Sequence, residues 1–114
     1  MVIHRGDVWW AELDDPPGSE PGFRRPLVIV QADAFNVSRI QTVVGVVVTS
    51  NLRLIDAPGN VLLRSRASGL PKDSVANVSQ IVTIDRGELA QRAGRLDQKT
   101  MGAIGKGMRL VLEL

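Results

Sequence analysis

Residues 42–49, Thr-Val-Val-Gly-Val-Val-Val-Thr, constrain the fold of this chain more than any other stretch. All but the glycine are β-branched, which restricts the side-chain rotamers and favours extended backbone. An apolar run without alternating polar residues predicts a strand that is covered on both faces. A chain of 114 residues is long enough to bury such a strand in one core. We therefore predict a single domain, residues 1–114, of the mainly β class, built as a small, strongly bent sheet or barrel.

Further strands are predicted on both sides of this run. Four segments combine apolar, β-branched or aromatic residues between turn-forming residues: 7–13, 26–32, 60–64 and 74–84, the last as one or two strands. Residues 14–24 contain three prolines and two glycines, and this composition predicts a long loop. Residues 51–59 are a second predicted loop. Asp33 is expected to cap a short helical turn that extends to residue 39.

Two helices are predicted in the last third of the chain. Residues 85–88, Asp-Arg-Gly-Glu, have the spacing of a capping box, which indicates that a short helix begins there. A longer helix is predicted from Asp97, because one apolar stripe follows at three- and four-residue steps: Met101, Ile104, Met108 and Val111. Three glycines within this helix each cost ~1 kcal/mol relative to alanine. Docking on the sheet or on a partner must therefore stabilise it.

Several kinds of chemistry are excluded by residues that the sequence lacks. Without cysteine there is no disulfide framework, thiolate nucleophile or zinc–thiolate site. His4 is the single histidine, so one chain cannot form a two-histidine acid–base pair. Asp14 and Asp15 are adjacent carboxylates, but they lie in the proline-rich loop without other candidate ligands. We therefore expect no metal site and no other cofactor.

The N-terminus has no signal-peptide core, and the longest apolar run is far shorter than the ~20 residues of a membrane span. These features predict a cytoplasmic protein without a membrane partner. Residues 24–72 carry seven basic and two acidic residues, a local charge of +5, and eleven of the fourteen basic residues of the chain are arginine. Guanidinium groups suit phosphodiesters. RNA carries its own nucleophile, the 2′-hydroxyl, so the remaining arginines, hydroxyls, amides and carboxylates are compatible with RNA cleavage.

Three stretches resemble one family, the MazF/PemK (Kid) toxins of type II toxin–antitoxin systems. They are residues 5–13 (Arg-Gly-Asp-Val-Trp-Trp-Ala-Glu-Leu), 18–31 (Gly-Ser-Glu-Pro-Gly-Phe-Arg-Arg-Pro-Leu-Val-Ile-Val-Gln) and 73–85 (Asp-Ser-Val-Ala-Asn-Val-Ser-Gln-Ile-Val-Thr-Ile-Asp). The resemblance implies an SH3-like barrel with a C-terminal helix that works as a homodimer. It also implies sequence-selective, metal-independent cleavage of single-stranded RNA, which leaves a 2′,3′-cyclic phosphate and a 5′-hydroxyl. The implied partner is an antitoxin with an acidic, disordered tail.

The resemblance also implies roles for individual residues. Arg25 matches the catalytic arginine of the family, Thr49 its catalytic threonine, and Glu20 a carboxylate that supports the site in some members. From their positions in and around the two loops and the third stretch, we expect six residues to contact RNA: Ser19, Arg24, Asn36, Asn51, Arg53 and Gln80. The amides of Asn36 and Gln80 can read base edges. Alternatively, they satisfy backbone groups inside the protein.

Two other functions remain open at this stage. The first is a non-enzymatic DNA gyrase poison of the CcdB type, which shares the fold but depends on an aromatic C-terminal tripeptide. This chain ends in Leu-Glu-Leu and has no aromatic residue after Phe35. The second is a passive RNA-binding barrel, which needs exposed aromatic residues for stacking. DNA is not an expected substrate.

Overall fold

The computed structural model describes residues 1–13 and 24–114, and over those residues it consists of one antiparallel sheet with three helices. The strands are β1 (Asp7–Glu12), β2 (Arg24–Ile29), β3 (Thr42–Thr49), β4 (Val61–Leu63), β5 (Ser74–Asp85) and β6 (Leu89–Arg95). The helices are α1 (Asp33–Asn36), α2 (Ser65–Ser68) and α3 (Gln98–Leu112). Short 3-10 turns cover Leu52–Asp56 and Arg86–Glu88.

The strand order across the sheet is β4-β5-β3-β2-β1-β6, with every neighbouring pair antiparallel. β3 therefore lies inside the sheet, between β2 and β5. Its residues 45–48 are all buried, because their side chains alternate between two faces that are both covered. The strand predicted from the valine run is confirmed.

Each face of the sheet carries its own apolar cluster. On one face, Val8, Val28 and Val46 pack with Ile104 of α3, and we call this the helix face. On the other face, which we call the far face, the buried cluster contains Trp9, Leu27, Ile29, Val43, Ile84 and Leu89. The two adjacent tryptophans thus separate, because successive side chains of β1 point to opposite faces.

The two ends of the sheet approach each other through α2, which follows the edge strand β4 and contacts the other edge strand, β6. A Cβ atom on Gly69 would lie 2.0 Å from the Ala93 carbonyl oxygen, and one on Gly94 would lie 2.5 Å from the Ser68 carbonyl oxygen. The backbones can approach this closely only because both residues are glycine. The sheet is therefore strongly curled, and the predicted mainly β barrel-like fold with a C-terminal helix is confirmed.

Several predicted boundaries were wrong. The strand predicted at 26–32 is β2, which begins at Arg24 because residues 24–26 pair with β1. Asp33 does not cap α1 with its side chain. Its carboxylate accepts hydrogen bonds from the backbone N–H of Arg5 (2.7 Å) and from Asn36 Nδ2 (3.0 Å). These bonds, from Arg5 first, lower the pKa of Asp33.

The helix predicted at the 85–88 capping box was also wrong. This segment is a single 3-10 turn without a side-chain cap, and the chain continues as β6. β6 was missed because its sequence, Leu-Ala-Gln-Arg-Ala-Gly-Arg, has low strand propensity. Pairing with β1, interrupted by two register shifts, holds it at the edge of the sheet.

The C-terminal helix begins as predicted, since the Asp97 carboxylate caps it by accepting a hydrogen bond from the Thr100 N–H at 2.8 Å. Ile104 is fully buried, and Met101 and Met108 pack against the helix-face cluster. Val111, the last residue of the predicted stripe, is instead 45% exposed. In the part of the chain that the structure describes, no helix is long and apolar enough to cross a membrane.

Candidate active site

The antiparallel register brings Arg25 and Thr49 to the same end of two neighbouring strands. β2 and β3 pair Leu27 with Val47 and Ile29 with Gly45. Continuing this register by two residues puts Arg25 across from Thr49, with about 5 Å between facing α carbons. The continued register therefore puts two residues that are far apart in the sequence opposite each other, just beyond the paired part of β2 and β3.

The phase of the two strands assigns both residues to the far face. Leu27 and Ile29 belong to the far-face cluster, and Arg25 is in phase with them along β2. Thr49 is in phase with Val43, which belongs to the same cluster. Arg25 and Thr49 are each half-buried. Both lie near strand ends, where a solvent-borne substrate can reach them.

The hydroxyl of Thr49 is oriented by its own turn. Thr49 Oγ1 accepts a hydrogen bond from the backbone N–H of Asn51 at 3.1 Å. A hydroxyl has one proton to donate in addition to its acceptor sites. The bond from Asn51 uses an acceptor site and leaves the proton available to a phosphate oxygen.

The two arginines before Pro26 have different surroundings. Arg24 forms an ion pair with Glu12 at 3.4 Å, and its guanidinium carbon lies 4.9 Å from the centre of the Trp10 ring. Within residues 1–13 and 24–114, no carboxylate lies within ion-pair distance of Arg25. Of the two guanidinium groups, that of Arg25 therefore has the fewer internal anionic partners among the described residues.

A groove of about 300 Å³ opens beside this pair of strands. Its lining combines apolar surface with basic and hydroxyl groups: Trp10, Arg24, Arg25, Pro26, Val48, Ser50, Leu70, Pro71, Lys72 and Ser74. Ligand pockets of this size lie at the lower end of the usual range for small molecules. The groove can accept a group about as large as a single nucleobase.

The loop between α2 and β5, which lines one wall of this groove, is held in place by hydrogen bonds. Asp73 accepts bonds from the Ser65 backbone N–H at 2.8 Å and from Arg64 at 3.1 Å, and these two donors, in that order, lower its pKa. The backbone N–H of Leu70 donates to Ser68 Oγ at 3.1 Å. The wall is thus formed in advance of any ligand.

Three of the predicted RNA-contacting residues lie in the turn after β3 or in the middle of β5. Asn51 and Arg53 are exposed, and Asn51 Oδ1 caps the 3-10 turn by accepting a bond from the Arg53 N–H at 3.2 Å. Gln80 lies where the pairing of β5 with β3 is interrupted opposite Val47. Its Oε1 accepts a bond from Asn77 Nδ2 at 2.9 Å, which leaves its own amide protons available.

Asn36 is separated from the other candidate residues. Its Nδ2 donates to the Gln31 carbonyl and to Asp33, and its Oδ1 accepts from Gln31 Nε2, each at 3.0 Å. The side chain is buried beside Thr42, at the opposite end of β3 from Thr49 and roughly 20 Å away along the strand. The structure thus shows the alternative role of satisfying internal polar groups, and Asn36 lies outside the candidate site.

Ser19 and Glu20 lie outside the described residues, so the structure does not address their expected roles. Across residues 1–13 and 24–114, His, Asp and Glu side chains form no group of three or more that could hold a metal ion.

Residues 4–112 match the family described as the PemK-like, MazF-like toxin of type II toxin–antitoxin systems. This chain belongs to that family. The family membership inferred from the three sequence stretches is confirmed.

Relatives in the family are similar over the full chain. Endoribonuclease MazF6 of Mycobacterium tuberculosis is 44% identical over 114 residues, which cover all of both chains. Endoribonuclease EndoA of Bacillus subtilis is 31% identical and aligns with all of this chain and 97% of its own.

Solved structures of family members share the fold. A mycobacterial endoribonuclease in complex with its cognate antitoxin superposes with a TM-score of 0.77 at 26% identity, over 98% of this chain and 96% of its own. MazF from Deinococcus radiodurans superposes with a TM-score of 0.82 at 19% identity, over 100% of this chain and 99% of its own. The fold is therefore that of the MazF toxins.

Sequence reasoning did not single out Trp10 or Lys72, which both line the groove. A signal for Trp10 exists in the Trp9–Trp10 pair, because adjacent strand residues face opposite sides and both cannot enter the same core. For Lys72 the sequence carries no comparable signal. The position of Lys72 depends on the path of the loop that connects α2 with β5.

Proposed function

We propose that this chain is the toxin of a type II toxin–antitoxin system and acts as an endoribonuclease on single-stranded RNA, with Arg25 and Thr49 in its active site. The observation that carries the proposal is the register of β2 and β3, which brings these two residues to the same end of neighbouring strands in a chain of this family. The names of relatives that are 44% and 31% identical over the whole chain support ribonuclease activity. They favour it over the gyrase-poison alternative.

The proposed reaction is an attack by the RNA on its own phosphodiester. The 2′-oxygen loses its proton and forms a bond to phosphorus, while the bond from phosphorus to the 5′-oxygen breaks and that oxygen takes up a proton. The products are a 2′,3′-cyclic phosphate and a 5′-hydroxyl. Since the nucleophile belongs to the substrate, the protein needs no metal-activated water, and DNA without the 2′-hydroxyl is not cleaved.

Arg25 contributes by electrostatic stabilisation. A guanidinium holds its protons tightly and is therefore a poor general base near neutral pH. It is a good partner for the negative charge that grows on the phosphorane, because its donors match two phosphate oxygens. Thr49 donates its hydroxyl proton to a nonbridging oxygen, and Glu20 supports the site as a carboxylate.

Residues around the reacting phosphate bind the RNA chain. Arg24 and Arg53 attract phosphates, whereas Ser19, Asn51 and Gln80 provide hydroxyl and amide groups for bases or sugars. The chain works as a single domain in the cytoplasm. Its protein partners are a second copy of itself and a cognate antitoxin with an acidic, disordered tail, which competes with RNA for the basic surface.

The decisive experiment is RNA cleavage in the presence of a chelator. The purified protein, incubated with mixed-sequence single-stranded RNA in EDTA, is expected to cut at a limited set of sequences. Mapping the fragment ends should show 2′,3′-cyclic phosphates and 5′-hydroxyls. Activity that disappears in EDTA and returns with magnesium would exclude the proposed mechanism.

A DNA oligonucleotide of the cleaved sequence serves as a matched control and should remain intact. RNA that is bound and retained without cutting would instead support the passive RNA-binding barrel.

The homodimer is tested by light scattering. The last turn of α3 and the two residues after it expose several apolar side chains: Leu110, Val111, Leu112 and Leu114. Exposed apolar groups of this kind are typical of protein interfaces. At micromolar concentration we expect a mass of twice the 12.4 kDa of one chain. A mass of one chain throughout a dilution series would contradict the dimer.

A further inference from the structure

Of the two tryptophans, Trp10 is the one that is not fully buried in the core. Trp9 is 8% exposed within the far-face cluster, and its indole Nε1 donates to Asp7 at 3.3 Å. Trp10 is half-buried at the edge of the helix-face cluster and lines the groove. An aromatic face that borders a groove is available for stacking.

The guanidinium of Arg24 lies over the Trp10 ring, at 4.9 Å from its centre. Its side-chain hydrogen bonds are long: 3.4 Å to Glu12 Oε1 and 3.5 Å to Gln91 Oε1. Bonds of this length are weak, so Arg24 can pivot at little cost. A flat ligand can stack on the guanidinium or replace it on the indole, since both are planar π-systems.

The other walls of the groove suit a base with its phosphate. Pro26, Val48 and Leu70 are apolar, and Lys72 brings a cation to the far wall. Arg24 and Lys72 can only donate hydrogen bonds. They pair with carbonyl oxygens on a base edge, such as those of guanine or uracil, and disfavour the amino group of adenine.

We propose that the Trp10 groove is a nucleobase subsite, which holds the base of a nucleotide next to the cleaved bond, stacked on Trp10 and Arg24. This inference rests on the proposed ribonuclease function. Trp10 pairs with Pro26, the residue after Arg25, and Arg25 also lines the groove, whereas Thr49 does not. The groove therefore takes a neighbouring nucleotide, and the reacting phosphate stays with Arg25 and Thr49. Trp10 is thus a positioning and specificity-determining residue.

The test combines substitutions in the protein with abasic positions in the substrate. An RNA that the wild-type protein cuts is synthesised with one base removed at a time around the mapped site. At one flanking position, base removal should lower kcat/KM of the wild type by about 5- to 160-fold, the range for one base–aromatic stack. Trp10→Ala should lower kcat/KM on intact RNA by a similar factor. The abasic penalty at that position should then vanish, because the two changes remove the same interaction.

Tryptophan fluorescence gives an independent measurement. The ligand is the same RNA with a 2′-deoxy nucleotide at the cleaved bond, so that it binds without reacting. Trp9→Phe leaves Trp10 as the sole fluorophore and should show quenching on titration. Trp10→Phe is the matched variant, and its buried Trp9 should not respond. Lys72→Met provides a surface change without loss of the aromatic ring and should reduce the preference for guanine or uracil over adenine at the same position.

Several outcomes would overturn the inference. Equal abasic penalties in wild type and Trp10→Ala at every position would do so, if circular dichroism shows that both are folded. So would quenching of Trp10 by an acidic peptide but not by the RNA, which would make the groove a peptide site. If Trp10→Ala does not fold, two other measurements test the inference. An absence of quenching in Trp9→Phe, or an unchanged base preference in Lys72→Met, would then overturn it. If the wild-type protein cuts no RNA, both the proposed function and this inference are contradicted. If RNA is cut but the abasic penalties are the same in the wild type and in Trp10→Ala, only this inference is contradicted.

Discussion

Arg25→Ala should lower the rate of RNA cleavage by about 100- to 1,000-fold, which corresponds to ~2.7–4 kcal/mol of transition-state stabilisation. This is the range found when one preorganised donor to a developing oxyanion is removed. The fold should not change, because Arg25 is half-buried at the start of β2 and makes no ion pair within the described residues. Single-turnover cleavage of the mapped RNA measures the effect, and circular dichroism checks the fold.

Two further variants test which property of Arg25 matters. Arg25→Lys should also be slow, because an ammonium keeps the charge but cannot contact two phosphate oxygens as the guanidinium does. Arg24→Ala is the neighbouring control and should weaken binding more than it slows the chemical step. If Arg24→Ala proves inactive while Arg25→Ala cuts normally, the catalytic arginine has been placed one residue too late.

Gly107→Ala should destabilise the protein by about 2–3 kcal/mol, near the upper end of the range for overpacking. Gly107 lies on the buried side of α3, and a Cβ atom there would lie 2.1 Å from the Gly59 carbonyl oxygen and 3.0 Å from a methyl carbon of Val78. The backbone at Gly59 cannot adjust easily, since its φ of +84° is already in the left-handed region. The helix would have to move away from the sheet.

The same helix provides the matched control. Gly102 is exposed, and nothing lies within 4 Å of the Cβ that an alanine would add. Gly102→Ala should therefore stabilise the protein by about 0.5–1 kcal/mol through helix propensity alone. Urea unfolding at one fixed protein concentration measures both variants, because association would otherwise shift the midpoint. Equal effects of the two substitutions would show that the contact with Gly59 does not hold α3 in place.

For the candidate site, local sequence was sufficient to place a residue when that residue belongs to a strand with a clear alternation of faces. Thr49 is the last residue of the valine-rich strand, and Arg25 directly precedes the proline that begins the strand predicted at 26–32, so their strands could be recognised. That they are neighbours follows from the register of β2 and β3. Asn36 shows the opposite case. Its position after a predicted strand suggested an exposed amide, but the fold buries it against Gln31 and Asp33.

The sequence by itself determined the described elements that carry strong local signals: the β-branched run of β3 and the capped amphipathic helix α3. These signals depend on rotamer restriction, backbone geometry and periodicity, which neighbouring residues express without help from the rest of the chain. Only the tertiary structure decided that residues 89–95 form a strand and that Trp10 borders the groove opposite Lys72. Three things depend on contacts between residues that are distant in sequence: the pairing of an edge strand, the face of the sheet on which a side chain lies, and the path of a loop. Such contacts override weak local propensity.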